Sequence, residues 1–311
     1  MKKIKSIYVA GHGGLIGSAV LRRLRKEGCR NLILRTRKQL ELTDARAVEF
    51  FFRRWRPEVV ILAAGKVGGI LENERMPADF IAENLAVELN VLTAARRFGV
   101  EKLIFFSSSC TYPKVCPQPM NEDSLLTGAL EPTSQSYAMA KLAGVELCLA
   151  INRQDGETRF LPVIPNNVYG PMDNFEPASG HVLAALIERF HKARAGRKAQ
   201  VELWGSGRPR REFIHSDDVA DACWHILKLD AGKIRWPLNI GVGQDISIRE
   251  LAELVKKAVS YQGVIRWDAR KPDGTPAKLL DSGRLYATGW RPKVELEEGV
   301  RAVYEWYLSQ N

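Results

Sequence analysis

Short apolar runs alternate with amphipathic stretches along the first half of the chain. In the amphipathic stretches, apolar residues recur every three or four positions, which is the spacing of one helical face. Near-continuous apolar runs are typical of strands buried on both faces of a parallel sheet. The predicted strands lie at 7–10, 32–34, 59–63, 103–106 and 160–164, and the predicted helices at 17–27, 44–55, 79–98 and 136–152. The alternation predicts an α/β fold with a doubly wound parallel sheet.

The pattern becomes less regular after about residue 170. Loops rich in proline and glycine lie at 170–180, 204–211 and 270–276. We therefore expect residues 1–170 to form a nucleotide-binding domain and residues 171–311 to form mainly a smaller C-terminal α/β lobe that binds substrate. An apolar segment at 238–241 is typical of a strand. For this reason the first domain should also receive segments near 213–243.

The charge balance is basic, but it does not favour nucleic-acid binding. The chain has 311 residues, of which 45% are hydrophobic and 26% charged, and its formal net charge is +10. The basic residues occur in short scattered groups with acidic residues between most of them, without a stripe or interleaved aromatic residues. A pocket for an anionic small molecule explains the charge equally well. No segment approaches the roughly 20 apolar residues of a membrane span, so we expect neither nucleic acid nor membrane as a partner.

The cysteines argue against a disulfide framework. They are Cys29, Cys110, Cys116, Cys148 and Cys223, an odd number without C-x-x-C spacing. Such a set predicts neither a zinc site nor structural disulfides, and no other metal site is expected. The first residues run directly into a strand without the apolar core of a signal peptide. We therefore expect a reducing, cytoplasmic environment.

A glycine-rich turn follows the first predicted strand and opens the first predicted helix. Its sequence is Gly11-His12-Gly13-Gly14-Leu15-Ile16-Gly17. Glycines in this position permit a tight turn, let the backbone approach a pyrophosphate and let helix and strand pack closely. The N–H groups at the start of the helix then face the phosphates. In this strand–turn–helix context the motif predicts a Rossmann-type dinucleotide site.

The end of the second predicted strand indicates which dinucleotide binds. An NAD site usually places an acidic residue there for the ribose hydroxyls, whereas arginine accommodates a 2′-phosphate. Arg35 and Arg37 stand at this point and favour NADP(H), with Arg37 the stronger candidate. Asp44 follows a few residues later and is equally consistent with an adenine contact and with a helix N-terminal acid. Ala63 and Ala64 end the third strand with small side chains, as expected where the backbone passes under a cofactor.

Tyr137 and Lys141 lie four residues apart on a predicted helix and therefore share one face. In isolation this spacing more often means a packed ring and a solvated amine. An ammonium beside the phenol is expected to lower its pKa from about 10. A serine hydroxyl from the run Ser107-Ser108-Ser109 after the fourth strand can hold a substrate carbonyl between itself and the phenol. This trio is suited to protonating a carbonyl while a nicotinamide reduces it.

Further strings occur together with these motifs and in a fixed order. They are Gly11-His12, Lys66-Val-Gly-Gly69, Ser108-Ser-Cys-Thr-Tyr-Pro-Lys114, Tyr137-x-x-x-Lys141, Asn167-Val-Tyr-Gly-Pro171, Asp173-Asn-Phe175, Arg211-Glu-Phe-Ile-His-Ser-Asp-Asp218, Lys271-Pro-Asp-Gly-Thr275 and Lys278-Leu-Leu-Asp281. With them the chain resembles the GDP-L-fucose synthase family of extended short-chain dehydrogenases/reductases, from residue 4 to about residue 308. The general reductase strings are shared by many sugar-nucleotide enzymes. Those starting at Lys66, Ser108 and Lys271 are far more particular.

The resemblance implies an NADPH-dependent enzyme with two activities. It would convert GDP-4-keto-6-deoxy-D-mannose to GDP-L-fucose by 3,5-epimerisation followed by reduction at C4. A ketone at C4 acidifies the protons on C3 and C5, because removing either proton leaves an enolate. Inverting each carbon then needs a base on one face and an acid on the other. By position the resemblance assigns this pair to Cys110 and His181, although taken alone they are more typical of a small buried residue and a helix cap.

The resemblance also implies a set of site residues. The catalytic residues would be Ser108, Cys110, Tyr137, Lys141 and His181. The residues that bind NADP(H) would be Gly11, His12, Gly13, Gly14, Leu15, Ile16, Gly17, Arg35, Arg37, Asp44, Ala63, Ala64, Phe106, Ser107, Ser109, Lys141, Pro165, Asn166, Asn167, Val168 and His181. The residues that bind the GDP-sugar would be Arg189, Trp204, Arg211, Lys278 and Asp281.

Three positions depart from the family pattern. Gly13 stands where arginine is common, so one contact to the 2′-phosphate is missing and discrimination against NAD should be weaker. Asn166 replaces a usual threonine beside the nicotinamide, and the sequence assigns this change no effect. Gly65 replaces alanine and is expected to be neutral.

Other readings of the motifs remain open at this point. The runner-up is another sugar-nucleotide enzyme of the same fold, such as a 4-epimerase that retains NAD. A non-catalytic dinucleotide-binding protein is a distant alternative, since such a protein needs no Ser108–Tyr137–Lys141 trio. Helices 79–98 and 136–152 carry more apolar surface than one covering layer needs, and the family is generally dimeric there. We therefore expect a homodimer through these two helices.

Overall fold

The computed structural model describes residues 6–177, 179–271 and 273–310. The remaining positions include 1–5 of the predicted first domain and residue 272 of the string that begins at Lys271, so these parts of the sequence predictions lie outside the described residues. All five cysteines are free.

Strands and helices alternate along the chain. The strands are β1 Ile7–Ala10, β2 Leu32–Ile33, β3 Val59–Leu62, β4 Lys102–Phe106, β5 Phe160–Pro165, β6 Asn167–Tyr169, β7 Gln200–Trp204, β8 Arg210–Arg211, β9 Phe213–His215, β10 Leu238–Ile240, β11 Ile246–Ser247, β12 Val264–Asp268 and β13 Ala277–Lys278. The α-helices are α1 Leu15–Lys26, α2 Ala45–Trp55, α3 Ile70–Arg75, α4 Pro77–Arg97, α5 Gln135–Asp155, α6 Val182–Ala195, α7 Ser216–Lys228, α8 Ile248–Val259, α9 Gly283–Tyr286 and α10 Leu296–Gln310.

A six-stranded parallel sheet in the order β10-β5-β4-β3-β1-β2 forms the centre of the first lobe. Every residue of β1, β3 and β5 is buried, as expected for strands covered on both faces. Helices α1 and α7 pack together on one face, and α2, α4 and α5 cover the other. The predicted α/β fold with a doubly wound parallel sheet is confirmed.

The direction of strand addition reverses next to β1. The chain runs outward from β1 to β2 and then returns to the opposite side of β1 as β3. In open parallel sheets ligands bind outside the carboxyl ends of the strands at such a switch point. The glycine-rich turn after β1 and the Ala63-Ala64 pair after β3 both lie at this point.

The second lobe packs around its own apolar core. Strands β7 and β12 pair in parallel, and β8 lies between β11 and β13 in a separate small sheet. Helices α6, α8 and α10 enclose a buried cluster that includes Phe190, Leu251 and Tyr304. The pair formed by β6 and β9 joins the two lobes at the carboxyl end of β5.

The sheet receives its last strand from late in the chain. Strand β10 pairs in parallel with β5, and α7 packs against α1, so parts of the segment 213–243 contact the first lobe. On this basis we keep as a proposal the division into a nucleotide-binding domain at 1–170, extended by this segment, and a mainly substrate-binding lobe at 171–311. Within the described residues, none of the helices combines the length and apolar character required to cross a membrane.

Candidate active site

The turn from β1 to α1 is shaped to receive an anion. Gly11 has a φ of +81°, and a Cβ placed there would lie 2.8 Å from the backbone of Ala63. A Cβ on Gly17 would lie 2.1 Å from the carbonyl oxygen of Gly11, so helix and turn meet without room for a side chain. Helix α1 begins after Gly14 with no side-chain cap and no acidic residue in its first turn. Its first N–H groups and the helix dipole are therefore suited to a pyrophosphate.

The arginines after β2 have partners within the protein. Arg35 donates to the carbonyl oxygen of Leu34 at 2.7 Å, and its guanidinium lies 4.4 Å from the ring centroid of Trp55. Arg37 is mostly exposed and donates to the Glu41 carboxylate at 2.7 Å. An exposed ion pair of this kind is weak, so Arg37 can exchange Glu41 for a phosphate at small cost.

Asp44 acts as the N-cap of α2 in the structure. Its carboxylate accepts hydrogen bonds from the N–H groups of Arg46 and Ala47 at 2.9 and 3.1 Å. Of the two readings left open by the sequence, the helix cap is therefore the one that the contacts support.

The chain leaves β4 at Phe106 and enters a short 3₁₀ turn, Ser109–Thr111. Ser108 caps this turn, because its hydroxyl accepts from the N–H of Cys110 at 3.2 Å. The buried Ser107 hydroxyl instead donates to the carbonyl oxygen of Lys141 at 3.4 Å. The hydroxyls of Ser107 and Ser108 therefore have different neighbours, and that of Ser108 interacts with both Cys110 and Tyr137.

Cys110 lies beside a positive charge from the second lobe. The Nζ of Lys278, on β13, is 3.7 Å from the Cys110 sulfur. Burial alone would raise the pKa of this thiol, but the ammonium of Lys278 and hydrogen bonds from Ser108, Ser134 and Lys278 together hold the pKa below its ordinary value. Cys110 is therefore poised to act as a thiolate base.

Replacing Lys278 with methionine should slow alkylation of Cys110 at neutral pH by about tenfold. Only the thiolate reacts, and loss of the ammonium raises the thiol pKa, so a smaller fraction is ionised at any pH below that pKa. The rate of iodoacetamide labelling at Cys110, followed by mass spectrometry across pH, measures the shift. Lys271→Met is the control, because its ammonium lies over the ring of Trp204 instead. Equal labelling of Cys110 in both variants would contradict the assignment.

His181 is held by a carboxylate at the start of α6. Its Nδ1 lies 2.8 Å from an oxygen of Asp173, and its side chain is about half exposed. The hydrogen bond to Asp173 raises the pKa of His181, opposed by partial burial and helped by the charges of Asp173 and Cys110. The shift of the His181 pKa thus favours its protonated, proton-donating form, whereas the shift of the Cys110 pKa favours the thiolate.

Tyr137 and Lys141 share one face of α5, as predicted, but the phenol pKa is shifted the other way. Burial raises the pKa of Tyr137, the charges of Cys110 and Glu88 raise it further, and only a hydrogen bond with Ser108 lowers it. The Lys141 ammonium lies 6.0 Å from the centre of the Tyr137 ring and 3.1 Å from the Glu88 carboxylate. The pKa of Tyr137 is therefore raised and not lowered as expected, and the ammonium of Lys141 is paired with a buried carboxylate from α4.

The carboxyl end of β5 is tied to the second lobe. The Asn166 amide donates to the buried Glu212 carboxylate at 2.6 Å and to the carbonyl oxygen of Lys278 at 3.2 Å. Asn167 donates to the oxygen of Asn166 and to the carbonyl of Glu212. Asn166, which stands where the family usually has threonine, therefore has a structural role. Its amide binds Glu212 and also connects the end of β5, where the nicotinamide is predicted to lie, to the strand that carries Lys278.

The predicted GDP-sugar residues are distributed over the second lobe. Arg211 donates to the carbonyl oxygen of Thr275 at 2.6 Å; burial lowers the pKa of Arg211, and the charge of Cys110 raises it. Trp204 ends β7 with about half of its surface exposed, and Arg189 is partly exposed on α6. Asp281 accepts from the N–H of Gly283 at the start of α9 and so has a local partner.

Cys110 is the centre of the arrangement. Its charge acts on Tyr137, His181 and Arg211, and Lys278 contacts it directly. Strands from both lobes therefore bring the predicted reductase and epimerase residues into one site. Sequence patterns did not indicate the roles of several neighbours, because each is joined to the site only by the fold. These neighbours are Glu88, Ser134, Asp173 and Glu212.

Comparison with known proteins agrees with this geometry. The model of the NAD dependent epimerase/dehydratase family matches residues 7–241. GDP-L-fucose synthase 1 of Arabidopsis thaliana is 50% identical over 307 residues, which cover 99% of this chain and 94% of the plant protein.

Two solved structures with NADP bound are also similar. MlghC, the GDP-mannoheptose C4 reductase from Campylobacter jejuni, has a TM-score of 0.91 at 37% identity and covers 99% of both chains. A GDP-L-fucose synthetase from Naegleria fowleri has a TM-score of 0.90 at 28% identity over 100% of this chain and 96% of that one. The chain belongs to the NAD dependent epimerase/dehydratase family of extended short-chain dehydrogenases/reductases, and within it to the GDP-L-fucose synthases.

Proposed function

We propose that this chain converts GDP-4-keto-6-deoxy-D-mannose to GDP-L-fucose by inverting C3 and C5 and then reducing the C4 ketone. The observation that carries the proposal is the opposite bias of Cys110 and His181 next to Tyr137. A thiol with a lowered pKa and an imidazole with a raised pKa form a base and an acid in one site. A simple reductase has no use for such a pair.

The epimerisation follows from these two groups. The Cys110 thiolate removes the proton from C3 or C5, so that the C–H bond breaks and its electrons form the enolate of the C4 ketone. Protonated His181 then donates a proton to the same carbon from the opposite face, which inverts it. The thiol loses a proton to solvent and the imidazole gains one, so the pair is restored for the second carbon.

The reduction uses the second set of residues. Ser108 donates a hydrogen bond to the C4 oxygen, and the Tyr137 hydroxyl donates a proton to it as negative charge develops. When bound, NADPH supplies the hydride that reduces C4. We assign the diphosphate of the substrate to Arg211 and Arg189, because guanidinium groups bind phosphate oxygens in pairs.

We propose NADP(H) as the cofactor, on the fit of the chain to its parts. The turn at 11–17 suits the pyrophosphate, and Arg37 can release Glu41 to bind a 2′-phosphate. The imidazole Nδ1 of His12 is buried and lacks a hydrogen-bond partner at the same turn, so it has capacity for a polar contact from a bound group. Lys141 has three N–H donors, so it can bind the nicotinamide ribose while its ammonium stays paired with Glu88.

Selectivity for NADPH over NADH should be modest, below about 100-fold in catalytic efficiency. One charge-assisted hydrogen bond contributes about 1.5–3 kcal/mol, and Gly13 supplies none. A Cβ on Gly13 would meet nothing within 4 Å, so Gly13→Arg has room and should raise the ratio of kcat/KM for the two cofactors about tenfold. Gly13→Gln, similar in reach but neutral, should leave the ratio unchanged. A wild-type ratio of many thousands would contradict the expectation.

The decisive test of the function is to incubate the protein with NADPH and GDP-4-keto-6-deoxy-D-mannose and to read the product's configuration by NMR. GDP-L-fucose supports the proposal. A 6-deoxy sugar reduced at C4 but not inverted at C3 and C5 would keep the reductase residues and refute the roles of Cys110 and His181. Release of tightly bound NAD on denaturation, without turnover, would favour a 4-epimerase.

We also propose that the protein forms a homodimer through helices 79–98 and 136–152. Leu85 and Leu89 are four residues apart on α4 and are 38% and 55% exposed, and Met139 on α5 is 45% exposed. Large apolar side chains grouped on neighbouring helices are typical of an interface between subunits. Sedimentation of the wild type against Leu89→Lys tests this, with a shift toward monomer expected. We keep the cytoplasm as the proposed location.

A further inference from the structure

Glu88 is a buried carboxylate beside Lys141. None of the proposed reaction steps uses Glu88. It lies on α4 with 2% of its surface exposed, and an oxygen of its carboxylate is 3.1 Å from the Nζ of Lys141, which is also buried. Burying a charge is costly unless an opposite charge compensates it. Burial raises the pKa of Glu88, whereas the charge of Lys141 and a hydrogen bond from it oppose that rise, so the ion pair favours the carboxylate form of Glu88.

The packing of α4 against α5 makes a specific place for this carboxylate. Residues Tyr137, Lys141, Gly144 and Cys148 lie three or four positions apart and form one stripe of α5. A Cβ on Gly144 would lie 2.5 Å from an oxygen of Glu88, so the carboxylate fits only because this position has no side chain. The charge of Glu88 also acts on Cys148 and on Tyr137, which places it along the same stripe.

The Glu88–Lys141 ion pair suits a reaction that runs toward reduction of the ketone. A reductase needs its phenol protonated, because the phenol must donate a proton to the C4 oxygen. A bare ammonium 6.0 Å from the ring would favour the phenolate and remove that proton as the pH rises. The Glu88 carboxylate next to the ammonium opposes this effect.

We propose that Glu88 is a positioning residue that neutralises Lys141 and thereby keeps Tyr137 in its protonated, proton-donating form. The proposal rests on the proposed function in one respect, that Tyr137 acts as a proton donor. The charged or titratable groups that act on Tyr137 are Glu88 from α4, Lys141 on its own helix and Cys110 from the turn after β4. Phe80 of α4 packs edge-on against the ring and carries no charge.

The sign of the expected change follows from these charges. In Glu88→Gln the ammonium of Lys141 is no longer neutralised, so the phenolate becomes more favourable and the pKa of Tyr137 falls. A unit charge about 6 Å away in a partly buried site corresponds to a shift of roughly one to two pH units. The substitution keeps the side-chain size, so packing against Gly144 is retained.

The direct test measures the phenol in the protein without nucleotide or substrate. Absorbance of phenolate is titrated in Glu88→Gln and in wild type, each minus its Tyr137→Phe counterpart, so that only Tyr137 contributes. At the highest pH at which both proteins remain folded, we expect at least about ten times more Tyr137 phenolate in the Glu88→Gln protein. Equal phenolate fractions would overturn the proposal, whether because Glu88 is uncharged or because its charge does not reach the ring.

A second measurement connects the charge with turnover. The alkaline limb of kcat for C4 reduction, where the phenol loses its proton, should move to lower pH by about one to two units in Glu88→Gln. Glu83→Gln is the matched control, because Glu83 lies on the same helix but pairs with Lys66 and Arg37. Its loss can change the KM for the cofactor, but the alkaline limb of kcat should stay at the wild-type pH. An unmoved limb in Glu88→Gln, where reduction is measurable, would also overturn the proposal.

The two measurements separate this inference from the proposed function. The titration needs no substrate, so it holds even if the protein reduces a different sugar. If Glu88→Gln does not fold, Glu88→Met provides the same comparison, because its neutral side chain has similar length and places no N–H donor beside the ammonium. A phenolate fraction in Glu88→Met equal to that of wild type would count against the proposal in the same way.

Discussion

Replacing Tyr137 with phenylalanine should reduce the rate of C4 reduction by about 100- to 10,000-fold, the usual contribution of a positioned proton donor. The same variant should still exchange deuterium from solvent into C3 and C5, because Cys110 and His181 perform that step without the phenol. NADPH oxidation gives the first rate, and mass spectrometry of the recovered ketose gives the second. The phenyl ring keeps its edge-on contact with Phe80, so the fold should be retained.

The comparison with another phenol shows that the effect is specific to the site. Tyr261 is buried in the second lobe and donates to the carbonyl oxygen of Lys198, so Tyr261→Phe also removes one buried hydroxyl. It should leave both rates close to those of the wild type. If Tyr137→Phe stopped exchange as well as reduction, Tyr137 would be needed before the hydride step and its assigned role would be wrong.

The fold could be read from the sequence because each of its signals is local. The apolar runs that became β1, β3, β4 and β5 are buried on both faces, and burial of this kind leaves a continuous apolar string. The structure supports one of the two interpretations that the sequence left open for Asp44, that of a helix N-terminal acid at the start of α2. Strand β2 is shorter than predicted, because only Leu32 and Ile33 pair with β1.

The site could be read in part, through residues carried by motifs. Tyr137 and Lys141 share a helical face, and Ser108 and Cys110 share a short turn, so their proximity follows from spacing alone. The resemblance added His181, whose partner Asp173 lies only eight residues away. These local relations explain why the expected set of catalytic side chains meets at one place.

What the sequence could not reveal is the electrostatic balance, because it is set by contacts between distant segments. Lys278 is 168 positions from Cys110, and Glu88 reaches Lys141 from another helix. Spacing shows an ammonium one turn from Tyr137 and so predicts a lowered phenol pKa, whereas the packing of α4 places a carboxylate beside that ammonium and the pKa is raised. Arg37 is a similar case, since Glu83 of α4 lies 3.5 Å from its guanidinium in addition to the local partner Glu41.

Replacing Cys110 with serine should lower the rate of proton exchange at C3 and C5 by about 100- to 10,000-fold, and by much more than it lowers hydride transfer to a ketone that is already epimerised. Serine is similar in size, and the backbone N–H of residue 110 still donates to Ser108, but the hydroxyl does not ionise near neutral pH, whereas Lys278 favours ionisation of the thiol. Solvent deuterium exchange measures the first step, and reduction of chemically epimerised ketone by NADPH measures the second. Cys116→Ser, a change of the same atoms in the following loop, should alter neither.

If Cys110 is the base and His181 the acid, the rate of proton exchange at C3 and C5 in the wild-type enzyme should depend on pH. Because the thiolate is the base, exchange should rise with pH until it passes the pKa of Cys110, which lies below the ordinary value for a thiol. The exchange rate should fall again at higher pH, where His181 loses its proton. Because the pKa of His181 is raised, exchange should persist to a higher pH than with an ordinary imidazole. Both shifts increase the fraction of molecules in which the Cys110 thiolate and protonated His181 are present together. Equal loss of exchange and reduction in Cys110→Ser would mean that the thiol serves the whole site and that a different base inverts C3 and C5.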